Sequence, residues 1–416
     1  MDKILIGESR NLKGELNIST SKNACLPIIA ASLLTDEDVT ILNIPALTDI
    51  TNMLKILRGF GAEVNRDKAN VTINSKNIHS PDGDEKCCNK LRASILFLGP
   101  LLSKFGEAVL PLPGGCKIGK RSIDLHLSSL KKMGAQIKID GNKIYASAKK
   151  LKGAKITLEY PSVGATENIL LASCLVQNTT EIKNAASEPE VLDLINFLNA
   201  CGARVYGGGS KHLFIEGVPK LYGCTYMPIK DRIEAGTLLM ASIFGKDVFI
   251  KNSKPIYLKP ITNVLIEAGA EIHPLDDGLR IFGGKTLKAQ KIISAPYPAF
   301  PTDLQAPYTA LACTMNGISK IRETVFEDRF SHTKELCKMG AKIIIRGKTA
   351  YVFGEKNLKP AKVYGSDLRA TASLVIAGLI AKGQTEIYGI DHLDRGYENF
   401  EQKLALIGAN IKRVKV

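Results

Sequence analysis

A cysteine stands among glycines and cations in Pro113-Gly114-Gly115-Cys116-Lys117-Ile118-Gly119-Lys120-Arg121. Positive charge nearby lowers a thiol pKa and favours the reactive thiolate. Glycine admits φ > 0 and lets the backbone approach a ligand closely. An idle surface turn with a spare thiol fits the local residues equally well. A second candidate is Asp303, in Phe300-Pro301-Thr302-Asp303-Leu304-Gln305, just ahead of an apolar helix. Partial burial there would raise its pKa toward the range of a general base. Lys22, Arg92, Arg121, Arg232, Arg329, Arg369 and Arg395 fall near predicted helix starts, where the dipole disfavours cations. Such a placement calls for an anionic ligand or a carboxylate partner, and seven of them make a ligand rich in anionic groups the better account. Asp49, Asp124, Thr166 and Asp231 read largely as N-caps. Asp367-Leu368-Arg369 and Asp394-Arg395 also fit structural ion pairs. The six histidines lack metal-ligand spacing and no Gly-x-x-x-x-Gly-Lys-(Ser/Thr) occurs, so neither metal nor cofactor is expected.

The elements that must position these groups recur. Gly-Ala-x-(Ile/Val) appears at Gly61, Gly134, Gly202, Gly269, Gly340 and Gly408, each time after an amphipathic segment such as Ile123 to Met133 or Phe330 to Met339. Each glycine is predicted to end a helix in the left-handed conformation, with two strands joined by a short turn to follow. Upstream of each lies a segment apolar on nearly all sides: 24–34, 93–102, 165–176, 233–244, 304–314 and 370–381. Helices of that kind are buried. The unit is therefore strand, buried helix, strand, amphipathic helix, strand, strand, repeated six times. Two groups of three are expected, with a boundary near Gly223 to Lys230. The sixth unit runs out one strand short, and the strand-like segment Lys3 to Gly7 is surplus at the other end. The expected domains are thus 20–228 and, discontinuous, 1–19 plus 229–416, with a ligand cleft between them.

Composition narrows the classes. With 416 residues, 45% apolar and 23% charged, the chain can build two or three real cores. Nine cysteines with no CxxC spacing fit reduced thiols better than a disulfide framework. No basic segment followed by a long apolar run opens the chain, and no stretch approaches the roughly 20 apolar residues of a membrane span, so a cytoplasmic protein is expected. The net charge of +15 comes from scattered lysines without interleaved aromatics. Nucleic-acid binding is a weak second choice.

The residues that carry chemistry also carry a resemblance. Ser21-Lys22-Asn23-Ala24, Leu91-Arg92-Ala93-Ser94, the Pro113 to Arg121 loop with Ile123-Asp124-Leu125-His126, Ser162-Val163-Gly164-Ala165-Thr166, Asp231-Arg232-Ile233-Glu234, Pro298 to Gln305, Glu323 to Phe330, Asp367-Leu368-Arg369 and Asp394 to Glu398 resemble the UDP-N-acetylglucosamine 1-carboxyvinyltransferase family. The resemblance runs through nearly the whole chain. It implies an α/β fold of two inverse α/β barrel-like domains, each of three βαβαββ repeats.

The activity it implies is transfer of the enolpyruvyl group of phosphoenolpyruvate (PEP) to the 3′-hydroxyl of UDP-N-acetylglucosamine (UDP-GlcNAc), with release of phosphate. This is the first committed step of peptidoglycan synthesis. Cys116 is the implied general acid and Asp303 the base, with Lys22, Asn23 and Arg395 also catalytic. PEP falls to Lys22, Asn23, Arg121 and Arg395. UDP-GlcNAc falls to Arg92, Arg121, Ser122, Ile123, Asp124, Leu125, Tyr160, Pro161, Ser162, Val163, Asp303 and Val325, while Arg329, Asp367 and Arg369 support. A monomer is expected, with no membrane and no nucleic-acid partner. The sister family that acts on shikimate 3-phosphate shares the fold but lacks a catalytic cysteine loop, so Cys116 disfavours it. A non-catalytic basic binding protein is the alternative from another class. Three departures bear on nucleotide affinity: Thr20-Ser21 replaces Gly-Ala, Tyr160 stands where many members have lysine, and Ser122 replaces a common proline.

Overall fold

The computed structural model describes every residue except Met1, Asp84, Cys116, Lys117, Ile118, Lys120, Arg121, Lys356 and Val416. The described chain forms two compact units. One comprises the described residues of 20–116 and 122–229; the other joins the amino-terminal segment through Ser19 to Gly119 and the chain from Lys230 onward. Each unit has its own hydrophobic core. No helix among the described residues is long and apolar enough to cross a membrane.

All six signature glycines end helices. Their φ values lie between 87° and 110°, a region that penalises any Cβ. The N–H of the alanine that follows reaches back to the carbonyl of Leu57, Leu130, Leu198, Leu265, Leu336 or Leu404, at 2.9–3.2 Å. This pairing satisfies carbonyls that a helix end leaves open. All six leucines are fully buried. One short motif thus stops the helix and anchors it to the core.

Each repeat closes on a small sheet. In the third, Lys155–Thr157 runs parallel to Thr179–Lys183, with buried helix Val163–Ser173 as the crossover. His212–Glu216 and Arg204–Tyr206 then add antiparallel. Ile156, Ile182, Leu213, Val205 and Ile215 all face the core, as the two-residue period of a strand requires. The sheet of the first repeat is completed by Cys224–Tyr226, which lies parallel to Val39–Ile41. Asp2–Gly7 lies between Gln384–Tyr388 and Ile411–Lys415, supplying the strand that the sixth repeat lacks. Lys13–Asn17, which sequence reasoning missed, does the same for Asp247–Lys251.

The central helices are buried all round: every residue of Leu368–Ile380 is buried. In its unit it packs against Gln305–Ala312 and Arg232–Ser242. The first of the six buried segments ends in a 3₁₀ turn, Ser32–Leu34, and two others begin in one rather than as the continuous helices expected. Residues 92–97 and 302–304 form 3₁₀ turns before helices Leu98–Phe105 and Gln305–Ala312 begin. Pro100 and Pro307 stand third in those α-helices. Neither can donate to the carbonyl four residues back, so the preceding turn tightens. The fifth amphipathic helix is also short, Thr333–Lys338 rather than 330–339.

Candidate functional site

In the Thr20–Ile229 unit, Ser21 caps helix Lys22–Ala31 by accepting from the N–H of Ala24 at 3.4 Å. The departure at Ser21 therefore has a structural use. Lys22 opens that helix and is buried, with Nζ 3.1 Å from Oδ2 of Asp49. Asp49 is no N-cap: it lies inside helix Thr48–Phe60, is itself buried, and faces the lysine. Asn23 follows Lys22 and is half-buried.

Arg92 starts the 3₁₀ turn and donates to the carbonyl of Ser122 at 3.0 Å. Ser122 Oγ accepts from the N–H of Asp124 at 3.0 Å and donates to its carboxylate. Asp124 is thus the first residue of helix Asp124–Lys132 rather than its cap. Ile123 is buried and Leu125 half-buried beside it. Ser162 caps helix Val163–Ser173, and its N–H donates to the carbonyl of Tyr160 at 2.7 Å across Pro161. Thr166 is no cap either; its hydroxyl accepts from the N–H of Ala186.

One buried contact ties these helix starts together. His126 accepts from the side-chain amide of Asn168 at 3.1 Å, and Asn168 also bonds Gly99 N–H and the Ile95 carbonyl. A Cβ on Gly164 would stand 3.1 Å from the His126 ring. Arg92, Ser122 to Leu125 and Ser162-Val163 therefore share one scaffold. Burial, with Arg92 nearby, pushes His126 down to about 3, so it stays neutral. On helix Val163–Ser173, burial and the neighbouring Glu190 and Glu188 hold the Glu167 carboxyl well above its usual range.

Cys116, Lys117, Lys120 and Arg121 lie outside the described residues. The glycines before them do not. A Cβ on Gly114 would fall 1.6 Å from the Asn89 carbonyl oxygen, and Gly115 has φ 109° beside Arg92. These glycines let the start of the loop lie against the segment that carries Arg92.

In the other unit, Asp303 sits in the turn Thr302–Leu304, and its carboxylate accepts from two arginines. Arg329 reaches Oδ1 at 2.6 Å and Arg369 reaches Oδ2 at 2.9 Å. Both guanidiniums are only 4% exposed, whereas the aspartate side chain is 29% exposed. Its setting is a double ion pair, not the simple partial burial expected from sequence. Arg369 also lies 5.2 Å above the ring of Tyr397. Asp367 does not pair with Arg369; it caps helix Leu368–Ile380 through the N–H groups of Arg369 and Ala370. Likewise Asp394 pairs with Arg413 rather than its neighbour. Arg395 closes the 3₁₀ turn Ile390–Arg395, an end where a cation is favoured, so it is not at a helix start. Val325 is half-buried, and its N–H donates to Glu323 at 2.8 Å. The other oxygen of Glu323 takes the hydroxyl of Thr302, beside Asp303. Asp231 is a true N-cap, accepting from Ile233 and Glu234.

A family described as EPSP synthase (3-phosphoshikimate 1-carboxyvinyltransferase) matches residues 6–404. The chain is 48% identical to a UDP-N-acetylglucosamine 1-carboxyvinyltransferase 1 of Carboxydothermus hydrogenoformans, over 100% of this chain and 99% of that one. It is 45% identical, end to end, to the protein of that name from Desulfosudis oleivorans. The chain belongs to the UDP-N-acetylglucosamine 1-carboxyvinyltransferase family. Among solved structures, the enolpyruvyl transferase NikO of Streptomyces tendae matches its fold with a TM-score of 0.90 at 22% identity, over 100% of this chain and 99% of that one. An EPSP synthase of Acinetobacter baumannii matches at 0.77 and 18%, over all of both chains.

For a carboxyvinyltransferase of this family, the geometry supplies a carboxylate held by two buried cations and a buried lysine held by a carboxylate. The sequence had suggested that uncompensated cations mark an anionic ligand. Three of those seven, Lys22, Arg329 and Arg369, have carboxylate partners, the other account their placement allowed. Asp49, Glu323, His126 and Asn168 were not singled out as positioning groups. Their signals were present only as single polar residues in or beside apolar runs, without a spacing that names a partner.

Proposed function

We propose that this chain transfers the enolpyruvyl group of PEP to the 3′-hydroxyl of UDP-GlcNAc and releases phosphate, committing the sugar nucleotide to peptidoglycan synthesis. The observation that carries this reading is whole-chain identity of 45–48% to relatives bearing that name. The reaction is addition followed by elimination. Asp303 accepts the hydroxyl proton as the 3′-oxygen bonds to C2 of PEP, and Cys116 gives a proton to the methylene C3. Loss of a C3 proton and of phosphate then restores the double bond.

The ion pairs support these roles. Arg329 and Arg369 favour the ionised carboxylate that a base must present. They also fix its two oxygens by charge-assisted hydrogen bonds. Asp49 keeps Lys22 in place in its buried setting, ready with Asn23, Arg121 and Arg395 for the PEP phosphate and carboxylate. Arg92, Ser122 to Leu125, Tyr160 to Val163 and Val325 serve UDP-GlcNAc. Tyr160, 39% exposed, presents a hydroxyl where many relatives have an ammonium. Arg121 or the lysines beside it are left to meet the pyrophosphate charge. The enzyme acts in the cytoplasm as a monomer.

Phosphate release from PEP is the test, with UDP-GlcNAc and then shikimate 3-phosphate as acceptor. Release with UDP-GlcNAc alone supports the proposal. Release with shikimate 3-phosphate alone would move the chain to the sister activity, and release with neither would end the enzymatic reading.

A further inference from the structure

Away from all of these residues, two free thiols meet. The sulfurs of Cys201 and Cys224 lie 3.2 Å apart. Cys201 caps the carboxyl end of helix Pro189–Ala200, and Cys224 opens strand Cys224–Tyr226. The backbone fixes both sides of the contact. Cys201 N–H donates to Phe197 at 3.0 Å, its carbonyl accepts from Tyr222 at 2.8 Å, and Cys224 is registered against Val39. Gly202, at φ 91°, lets the Tyr222 ring close in, for a Cβ there would stand 3.0 Å from it. Further along, Tyr226 and Ile229 both bond the carboxylate of Asp193 on the same helix. The two segments are therefore held together independently of the thiols.

We propose that Cys201 and Cys224 are a modification site, oxidised by a peroxide to an intramolecular disulfide. A disulfide bond of about 2.05 Å needs the sulfurs to close by roughly 1.2 Å, a small side-chain rotation. Cys224 is the half-buried partner and Cys201 the buried one, so the peroxide meets Cys224 first. The hydrogen bond from Cys201 lowers the Cys224 pKa and so favours its thiolate. That thiolate attacks the O–O bond, leaving a sulfenic acid at Cys224 and releasing one water. Cys201 sulfur then displaces the sulfenic oxygen, which leaves as a second water with the remaining protons. Two thiols and one hydrogen peroxide give one disulfide and two waters. The bond would join the far end of helix Pro189–Ala200 to the segment whose Ile229 carbonyl holds the N–H of Ser21, the cap before Lys22.

The full-length protein is treated with hydrogen peroxide, alkylated, and digested with trypsin without reductant. The cut sites place the thiols on separate peptides, 184–204 and 221–230, each with a single cysteine. The expected result is a linked pair whose mass is the sum less two hydrogens, lost on reduction and absent from Cys224→Ser. A Cys337→Ser variant should still give it. Peroxide doses that oxidise the exposed Cys337 while both peptides remain alkylated and unlinked would overturn the proposal. So would Cys224 linked to another cysteine, or Cys224 taken to sulfinic acid with Cys201 still a thiol.

Discussion

Lys22 Nζ lies 3.1 Å from Asp49 Oδ2, with the lysine side chain 10% exposed and the aspartate 5%. An ammonium out of water needs such a partner, because breaking a buried pair strands the remaining charge. Asp49→Asn should destabilise the protein by about 3 kcal/mol, read by urea unfolding. It should also weaken PEP binding on the order of tenfold, a loss of about 1.4 kcal/mol. Unchanged stability together with an unchanged KM for PEP would remove Asp49 from the account.

Asp303 is held by two arginines that share no helix with it. Asp303→Asn keeps one acceptor oxygen where the carboxylate gave one to each arginine, so it should hold one of the two guanidiniums while losing the other bond and the proton acceptor. The expected fall in kcat is on the order of 10²–10⁴-fold, the usual worth of general acid–base catalysis. The KM values should move much less. A variant whose KM rises with kcat intact would make Asp303 a binding residue only.

Cys116 is the proposed acid at the PEP methylene. Cys116→Ser should lower turnover on the order of 10²–10⁴-fold. An epoxide mimic of PEP should alkylate the wild-type thiol, detected as a mass increase on the peptide carrying residue 116. Full activity in the serine variant would refute the acid role.

Stability should depend on pH with two opposing contributions. Burial pushes His126 down to about 3 and His332, against the pull of Asp367, down to about 4. The unfolded chain takes up these protons below about 6.5, so the native state loses stability as pH falls from there. Burial pushes Glu234 up to about 7 despite its pair with Lys403. Its native form holds a proton that the unfolded chain has released, so its contribution is present below about 4.5 and lost as pH rises through 7. Glu234→Gln should flatten that slope by on the order of 3 kcal/mol, and His126→Gln should flatten the acid limb. Unfolding curves parallel to wild type at every pH would contradict both assignments.

The fold was legible because its devices are local. A left-handed glycine, a leucine four residues before it and an apolar helix upstream are chemical signatures, repeated six times. The 3₁₀ starts at Arg92 and Thr302 were legible in principle, from Pro100 and Pro307. The partners were not. Nothing in the spacing of Asp303, Arg329 and Arg369 says that one carboxylate will take both guanidiniums, since 26 and 66 residues separate them. The same distance problem hid Lys22 with Asp49, His126 with Asn168, and Cys201 with Cys224. Helix starts drew attention to the right cations without saying which of them a carboxylate would meet. Sequence separation conceals partners that folding brings to 2.6–3.2 Å.

The central claim is transfer to a defined oxygen, and proton NMR of the purified product tests it most directly. Incubation with PEP and UDP-GlcNAc should give one vinyl ether on the 3′-oxygen of the sugar, with one phosphate released per ether formed. A vinyl ether on another hydroxyl, or phosphate released without any ether, would contradict the account.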